Sequence, residues 1–324
     1  MGVYVAIGYL GVTGGPLFGG LVLGPFGWRS VFLIPVIFFL LAAAAGYYRL
    51  PSRTTLSAGE ASRFDFAGTA LYSLAIATIA SALLRVSAQG SSLALLLGLA
   101  LLGGFVVHQR GKSQPLIDFK LFSASRAFGP ACLILVFLQG AIYAAPFVVT
   151  LYLQYVHALS PRTTGLVLMV QAVSTAMIAL FSGRLIGRIS SAGLIGTGTC
   201  IGLAGFLLMV FASGDSTLVI IPIGLLAIGV CAGLVEAPTI SFMMGCVAPN
   251  QRGSASAAVN SARMFGSLLG ISSISVLLSL TVGDAMITPE VYDALSLAVR
   301  AYFLVASIMI SLCGASLFLA RRSV

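Results

Sequence analysis

The stretch LVIIPIGLLAIGVCAGLVEAPTISFMMGC, residues 218–246, carries a single charged side chain, Glu236. An α-helix rises 1.5 Å per residue and the hydrocarbon of a bilayer is about 30 Å thick, so roughly 20 apolar residues suffice to cross it. This run is long enough, and its glycines and prolines are tolerated in membrane helices. Nine further runs of the same character accompany it, at 3–24, 30–49, 66–85, 92–108, 127–154, 163–183, 193–212, 254–281 and 298–320. Each is continuous and long, without the alternation of inward and outward residues that barrel strands require, so the runs predict helices. The connectors are short. Only those at 50–65, 109–126 and 282–299 hold much polar material, which leaves no room for a soluble domain.

Composition agrees with this reading. Of 324 residues, 59% are hydrophobic and 8% charged, where a soluble protein is nearer a quarter charged. With a mean hydropathy of +1.09, apolar surface must face lipid. A soluble enzyme, a disordered chain and a secreted disulfide scaffold are excluded, and the fold class is all-α integral membrane with about ten transmembrane helices. The net charge of +9 arises from basic residues scattered singly, with no basic helix or aromatic-interleaved patch, so no nucleic-acid partner is implied. Cys132, Cys200, Cys231, Cys246 and Cys313 lie in apolar segments without CxxC or Cys/His spacing, which indicates neither metal nor disulfide framework. No phosphate loop, zinc pattern or hydrolase elbow is present, so no cofactor, ATP coupling or enzymatic activity is expected.

The basic residues instead report orientation. With the N-terminus inside, the inner connectors and tail hold Arg49, Arg53, Arg63, Arg110, Lys112, Lys120, Arg126, Arg184, Arg188, Arg252, Arg321 and Arg322, against Arg29, Arg85, Arg162 and Arg300 outside. This bias predicts cytoplasmic N- and C-termini in a multi-pass protein of the cell membrane. The first span has no basic residue before it, and its nearest flanking charge, Arg29, is on the outer side. Nothing local orients it, and further helices upstream are expected. A signal peptide does not fit, because a charged leading region is missing and GVTGGPLFGG stands mid-span.

That run, Gly11 to Gly20, places Gly11, Gly15, Pro16, Gly19 and Gly20 in the pattern GxxxGPxxGG. Glycines at i, i+4 and i+8 present a bare helical stripe for close packing, and Pro16 favours a bend. The pattern resembles the antiporter motif of the major facilitator superfamily, found on the fifth helix of drug/proton exporters. Other segments are similar to the 14-helix drug/proton antiporters of the EmrB/QacA type: GWRSVFLIPV (27–36), DFAGTALYSLAI (65–76), PLIDFKLF (115–122), VVTLYLQYVHALSP (148–161) and RGSASAAVNSARMFGSLLG (252–270). GRLIGR resembles the second-half cytoplasmic loop through Gly183, Leu185 and Arg188, with Gly187 where the family has an acidic residue.

The resemblance runs through the whole chain in family order and implies the last ten of fourteen helices, the first four being absent. It divides the chain into 1–50, the last two helices of the N-terminal bundle; 51–126, two extra central helices; and 127–324, a six-helix C-terminal bundle. The implied activity is export of lipophilic or cationic small molecules in exchange for protons by alternating access. The alternative is a transport-incompetent fragment, or a structural membrane subunit that works with a partner. The expected partners are a small-molecule drug or metabolite, protons and membrane lipid, with the missing helices or a partner subunit.

Two ionisable residues fall at mid-depth, where charge is expensive and marks function by default. Glu236 lies ten residues before the end of its span and Arg263 nine residues into the next, both roughly 14 Å from the inner boundary. They are the proton-coupling candidates, since burial disfavours a charged carboxylate and a guanidinium favours it; a static ion pair, or an arginine that snorkels inward, reads the residues as well. Gln139, Tyr143 and Phe147 recur every four residues on one predicted face and, with Gln171, are substrate-cavity candidates; Gln154 and Tyr152 lie in the same region. Amides there serve a ligand or glue helices together. His108 and His157 stand at span ends.

Overall fold

A backbone surrounded by lipid has no water to bond to, so it closes its hydrogen bonds within each helix. The computed structural model describes residues 27–49, 65–84, 90–112, 115–119, 121–122, 125–186, 188–212, 217–283 and 288–321, together with Gly11, Gly15 and Val22. The predicted first span, 3–24, lies outside the described residues apart from those three helical positions. Among the described residues there is no strand, and 9 helices are long and apolar enough to cross a membrane. They are α1 (Trp28–Arg49), α2 (Phe66–Leu84), α3 (Ser91–Arg110), α4 (Phe128–Ile142) continued by α5 (Ala145–Leu151), α6 (Pro161–Leu185), α7 (Ser191–Val210), α8 (Thr217–Gly245), α9 (Arg252–Thr281) and α10 (Tyr292–Arg321). The predicted bounds hold to within about two residues except at α10, predicted from 298. Its helix begins at Tyr292, after a short 3-10 turn Pro289–Val291. Asp293 in its first turn suits the positive end of the helix dipole, so polar residues that ended the apolar run still belong to the helix.

The span at 127–154 is interrupted. Pro146 has no N–H for the Ile142 carbonyl and its ring crowds the preceding turn, so α4 ends at Ile142 and α5 starts at Ala145. The Tyr302 hydroxyl, 1% exposed, donates to the Ala141 carbonyl at 2.9 Å beside this break. Beyond α5 the chain widens into a π-helical turn, Tyr152–Val156.

Helices α4 to α10 form the bundle: α8 packs on α6 and α7, and α10 on α4 and α7, with α9 against α4. The α2–α3 hairpin docks on α9, where the Tyr72 hydroxyl lies 3.0 Å from Ser261 Oγ and Ser275 Oγ donates to the Leu84 carbonyl at 3.1 Å. These two links, both advancing along the chain, make α2 and α9 parallel, as alternate crossings require. Helix α1 presents Phe32, Phe38, Phe39 and Leu41 outward, and none of its apolar window is buried.

Candidate functional site

Two apolar clusters fill the bundle. One includes Leu138, Val235, Ile228 and Phe303, the other Leu135, Ala237, Ile240 and Ala262. Glu236 stands at their seam on α8, its side chain 0% exposed. Arg263 Nη2 on α9 lies 3.0 Å from Glu236 Oε1. Gln139 Nε2 on α4 donates to the same oxygen at 3.4 Å. One carboxylate thus gathers three helices, and the predicted meeting of Glu236 and Arg263 is present as an ion pair. Arg263 is 31% exposed in its side chain, so the acid is the sealed member and the guanidinium reaches toward open surface.

Glycines permit this convergence. A Cβ on Gly266 would run into the Val136 carbonyl oxygen and come within 2.9 Å of Gln139 Cβ. On Gly270 it would strike the Gly140 carbonyl. The R-x-x-G-x-x-x-G spacing therefore brings the α9 backbone onto α4, and Arg263, one turn before Gly266, arrives level with Gln139. Near Glu236, Pro238 interrupts the α8 hydrogen-bond ladder, while Ser182 Oγ donates to the Gly233 carbonyl at 2.9 Å.

Of the predicted face on α4, Gln139 is buried against Glu236, whereas Tyr143 and Phe147 are 56% and 54% exposed. The Pro146 break divides that face. Gln171 is 8% exposed on α6, where Gly229 of α8 closes onto its backbone; Gln171 Oε1 has no hydrogen-bond partner among the described residues. Tyr152 and Gln154 lie in the π-helical turn, and His157 meets the Tyr152 ring edge-on at 5.1 Å. Gly183 and Leu185 end α6, half-buried, and Arg188 is exposed in the turn that follows; Gly187 lies outside the described residues. Gly11 and Gly15 are helical and exposed, with no described atom within 4 Å of a Cβ placed on either. Pro16, Gly19 and Gly20 lie outside the described residues.

A second charged node went unread in the sequence. Asp65 caps α2, its Oδ1 accepting the Gly68 N–H at 3.0 Å. Gln109 Nε2 donates to Oδ2 at 2.9 Å, with His108 Nε2 at 3.2 Å and Lys112 Nζ at 3.4 Å from Oδ1. The Gly68 amide foremost, aided by His108, Gln109 and Lys112, holds this carboxyl well below the usual carboxylate range. An aspartate immediately before an apolar run is an N-cap signal, and it was available at Asp65.

The family profile described as Major Facilitator Superfamily matches residues 1–271. The chain belongs to that superfamily. It is 29% identical over 288 residues to Multidrug resistance protein Stp of Mycobacterium tuberculosis, covering 86% of this chain and 52% of that protein. It is 30% identical over 283 residues to the Multidrug resistance protein B homolog of the same species, covering 83% and 51%. The Tetracenomycin C resistance and export protein of Streptomyces glaucescens is 26% identical over 289 residues, covering 88% and 53%. The chain spans about half the length of these curated relatives. The 9 apolar helices among the described residues agree with a multi-pass membrane protein of that superfamily.

Proposed function

We propose that the chain belongs to an exporter of lipophilic, often cationic, small molecules that is driven by proton exchange, of the 14-helix drug/proton antiporter type. Residues 1–50 would supply the last two helices of the N-terminal bundle, 51–126 the extra central pair and 127–324 the C-terminal six, with both termini cytoplasmic. The relatives' names, multidrug resistance and export, support the substrate class. The observation that carries the coupling is the buried Glu236 carboxylate held by Arg263 at 3.0 Å and Gln139 at 3.4 Å. A buried acid with one guanidinium partner changes its interactions sharply when a proton neutralises it. Protonation of Glu236 releases Arg263 from α8 and loosens the α8–α9 contact; loss of the proton restores the pair. Coupled to rocking of two bundles about a mid-membrane cavity, this gives inward proton movement against outward substrate movement. Gln171 and the exposed rings of Tyr143 and Phe147 form the substrate wall in this reading, Gly11, Gly15, Pro16, Gly19 and Gly20 the tight contact between bundles, and Gly183, Leu185 and Arg188 the cytoplasmic turn.

The test is efflux of a fluorescent cationic dye from vesicles holding the purified chain, under an imposed pH gradient. Gradient-dependent efflux above empty vesicles supports the reading. Insertion without such efflux overturns transport by these 324 residues and favours a subunit that requires a partner.

A further inference from the structure

Gln109, 1% exposed near the end of α3, uses both ends of its amide. Its Nε2 donates to Asp65 Oδ2 at 2.9 Å, and its Oε1 accepts the Leu116 N–H at 2.8 Å. A Cβ on Gly68 would run into both Asp65 Oδ2 and Gln109 Nε2, so that bare position makes room for the link. The connector leading to α4, described at 115–119 and 121–122, is thereby tied to the α2–α3 hairpin. Its other attachment is apolar. Leu121 is 1% exposed and belongs, with Ile117 packed alongside, to the cluster that holds Ala237 and Met243 of α8 and Val259 and Ala262 of α9. Ala237 adjoins Glu236 and Ala262 adjoins Arg263, while Met243 and Val259 lie nearer the ends of their helices. The cluster therefore runs from the ion pair to the end of the bundle where α8 stops and α9 starts. A proton or hydrated ion crossing such packing must shed its water. Two hydrogen bonds and one leucine hold the connector, whereas full helical ladders hold its neighbours, so it opens at lower cost than they do.

We propose that residues 115–119 with Leu121 and Phe122 form a releasable strap that closes the apolar packing beneath Glu236, with Gln109 as its clasp and Leu121 as the side chain that completes the seal. Because the hairpin is fastened to α9 through Tyr72 and Ser261, the strap travels with α9, and separation of α8 from α9 removes one wall of the Leu121 seat. That the strap controls access to Glu236 rests on the export reading above; that it covers the packing does not.

The test uses the full chain in lipid nanodiscs, both faces open to solvent, with two readouts. Amide hydrogen exchange reports the strap. A charged methanethiosulfonate, its adducts assigned to each cysteine by mass spectrometry, reports the packing through the native Cys132, which is half-buried against the same cluster. Gln109→Leu keeps bulk and removes both hydrogen bonds; it should speed exchange in the 115–122 peptide by up to about tenfold, as one lost hydrogen bond does. Cys132 modification should quicken by a comparable factor, with peptides of α8 and α9 protected as before. Leu121→Ala leaves the clasp in place and should quicken Cys132 modification as well; it decides the seal where Gln109→Leu does not fold. Unchanged exchange at 115–122 in Gln109→Leu overturns the clasp. Unchanged Cys132 modification in either variant overturns the seal. Faster exchange spread equally over α8 and α9 overturns the strap, because the node is then a support of the whole fold. Dye efflux from vesicles of the unaltered chain is read separately: its absence overturns the role at Glu236 and leaves the strap standing.

Discussion

At the residue scale one sealed carboxylate, Glu236, holds α4, α8 and α9 together. Removing Arg263 leaves Glu236 buried without that cation, whereas removing both leaves the buried Gln139 amide without its acceptor. Arg263→Met should therefore cost about 3 kcal/mol or somewhat less, given the partial exposure of the guanidinium. The double variant Glu236→Met/Arg263→Met should recover part of that loss, since Gln139 stays unmatched, both read by unfolding in mixed micelles. Asp65 gives a pH-dependent counterpart. Its folded carboxyl titrates below its unfolded value near 4, so its contribution is complete above that value and is lost as the pH falls toward the depressed one. Asp65→Asn should lower the melting temperature at pH 7, and the gap to the unaltered protein should narrow steadily below about pH 4. Glu236 and Arg263 were legible because charge in a span stands out and equal depth brings the two level. Gln139 was singled out for its amide, but its partner was not legible, since sequence spacing does not say which side of α4 meets α8.

At the element scale, close helix contacts depend on absent side chains. A Cβ on Gly270 meets the Gly140 carbonyl, a backbone group that cannot rotate away. Gly270→Ala should therefore separate α9 from α4, destabilise by about 1–3 kcal/mol and weaken the Gln139–Glu236–Arg263 contact. Gly103 of α3 has no described atom within 4 Å of its Cβ position, so Gly103→Ala should be neutral or stabilising by up to about 1 kcal/mol. Thermal unfolding of the two variants side by side checks the contrast. Helix count and bounds were read from apolar length because lipid imposes that length. The break at Pro146 was not read, although proline was in view, because a membrane helix tolerates proline when a neighbour satisfies the freed group. Beside the break the Ala141 carbonyl accepts from Tyr302, 161 positions away, and Tyr302→Phe should cost about 1 kcal/mol.

At the scale of the whole molecule, α4 to α10 pack into one bundle, with the α2–α3 hairpin fastened to α9 beside Arg263 through Tyr72 and Ser261. Fold class was legible from composition, since so few charges cannot clothe a soluble body of this size. The central claim is that Glu236 carries the proton. Glutamine mimics its neutral form, keeping shape and hydrogen bonding. In reconstituted vesicles, dye counterflow without a gradient and uphill dye movement under a pH gradient should be measured for Glu236→Gln and the unaltered chain. The account predicts that counterflow persists while uphill movement disappears; uphill movement retained at the unaltered rate would contradict it.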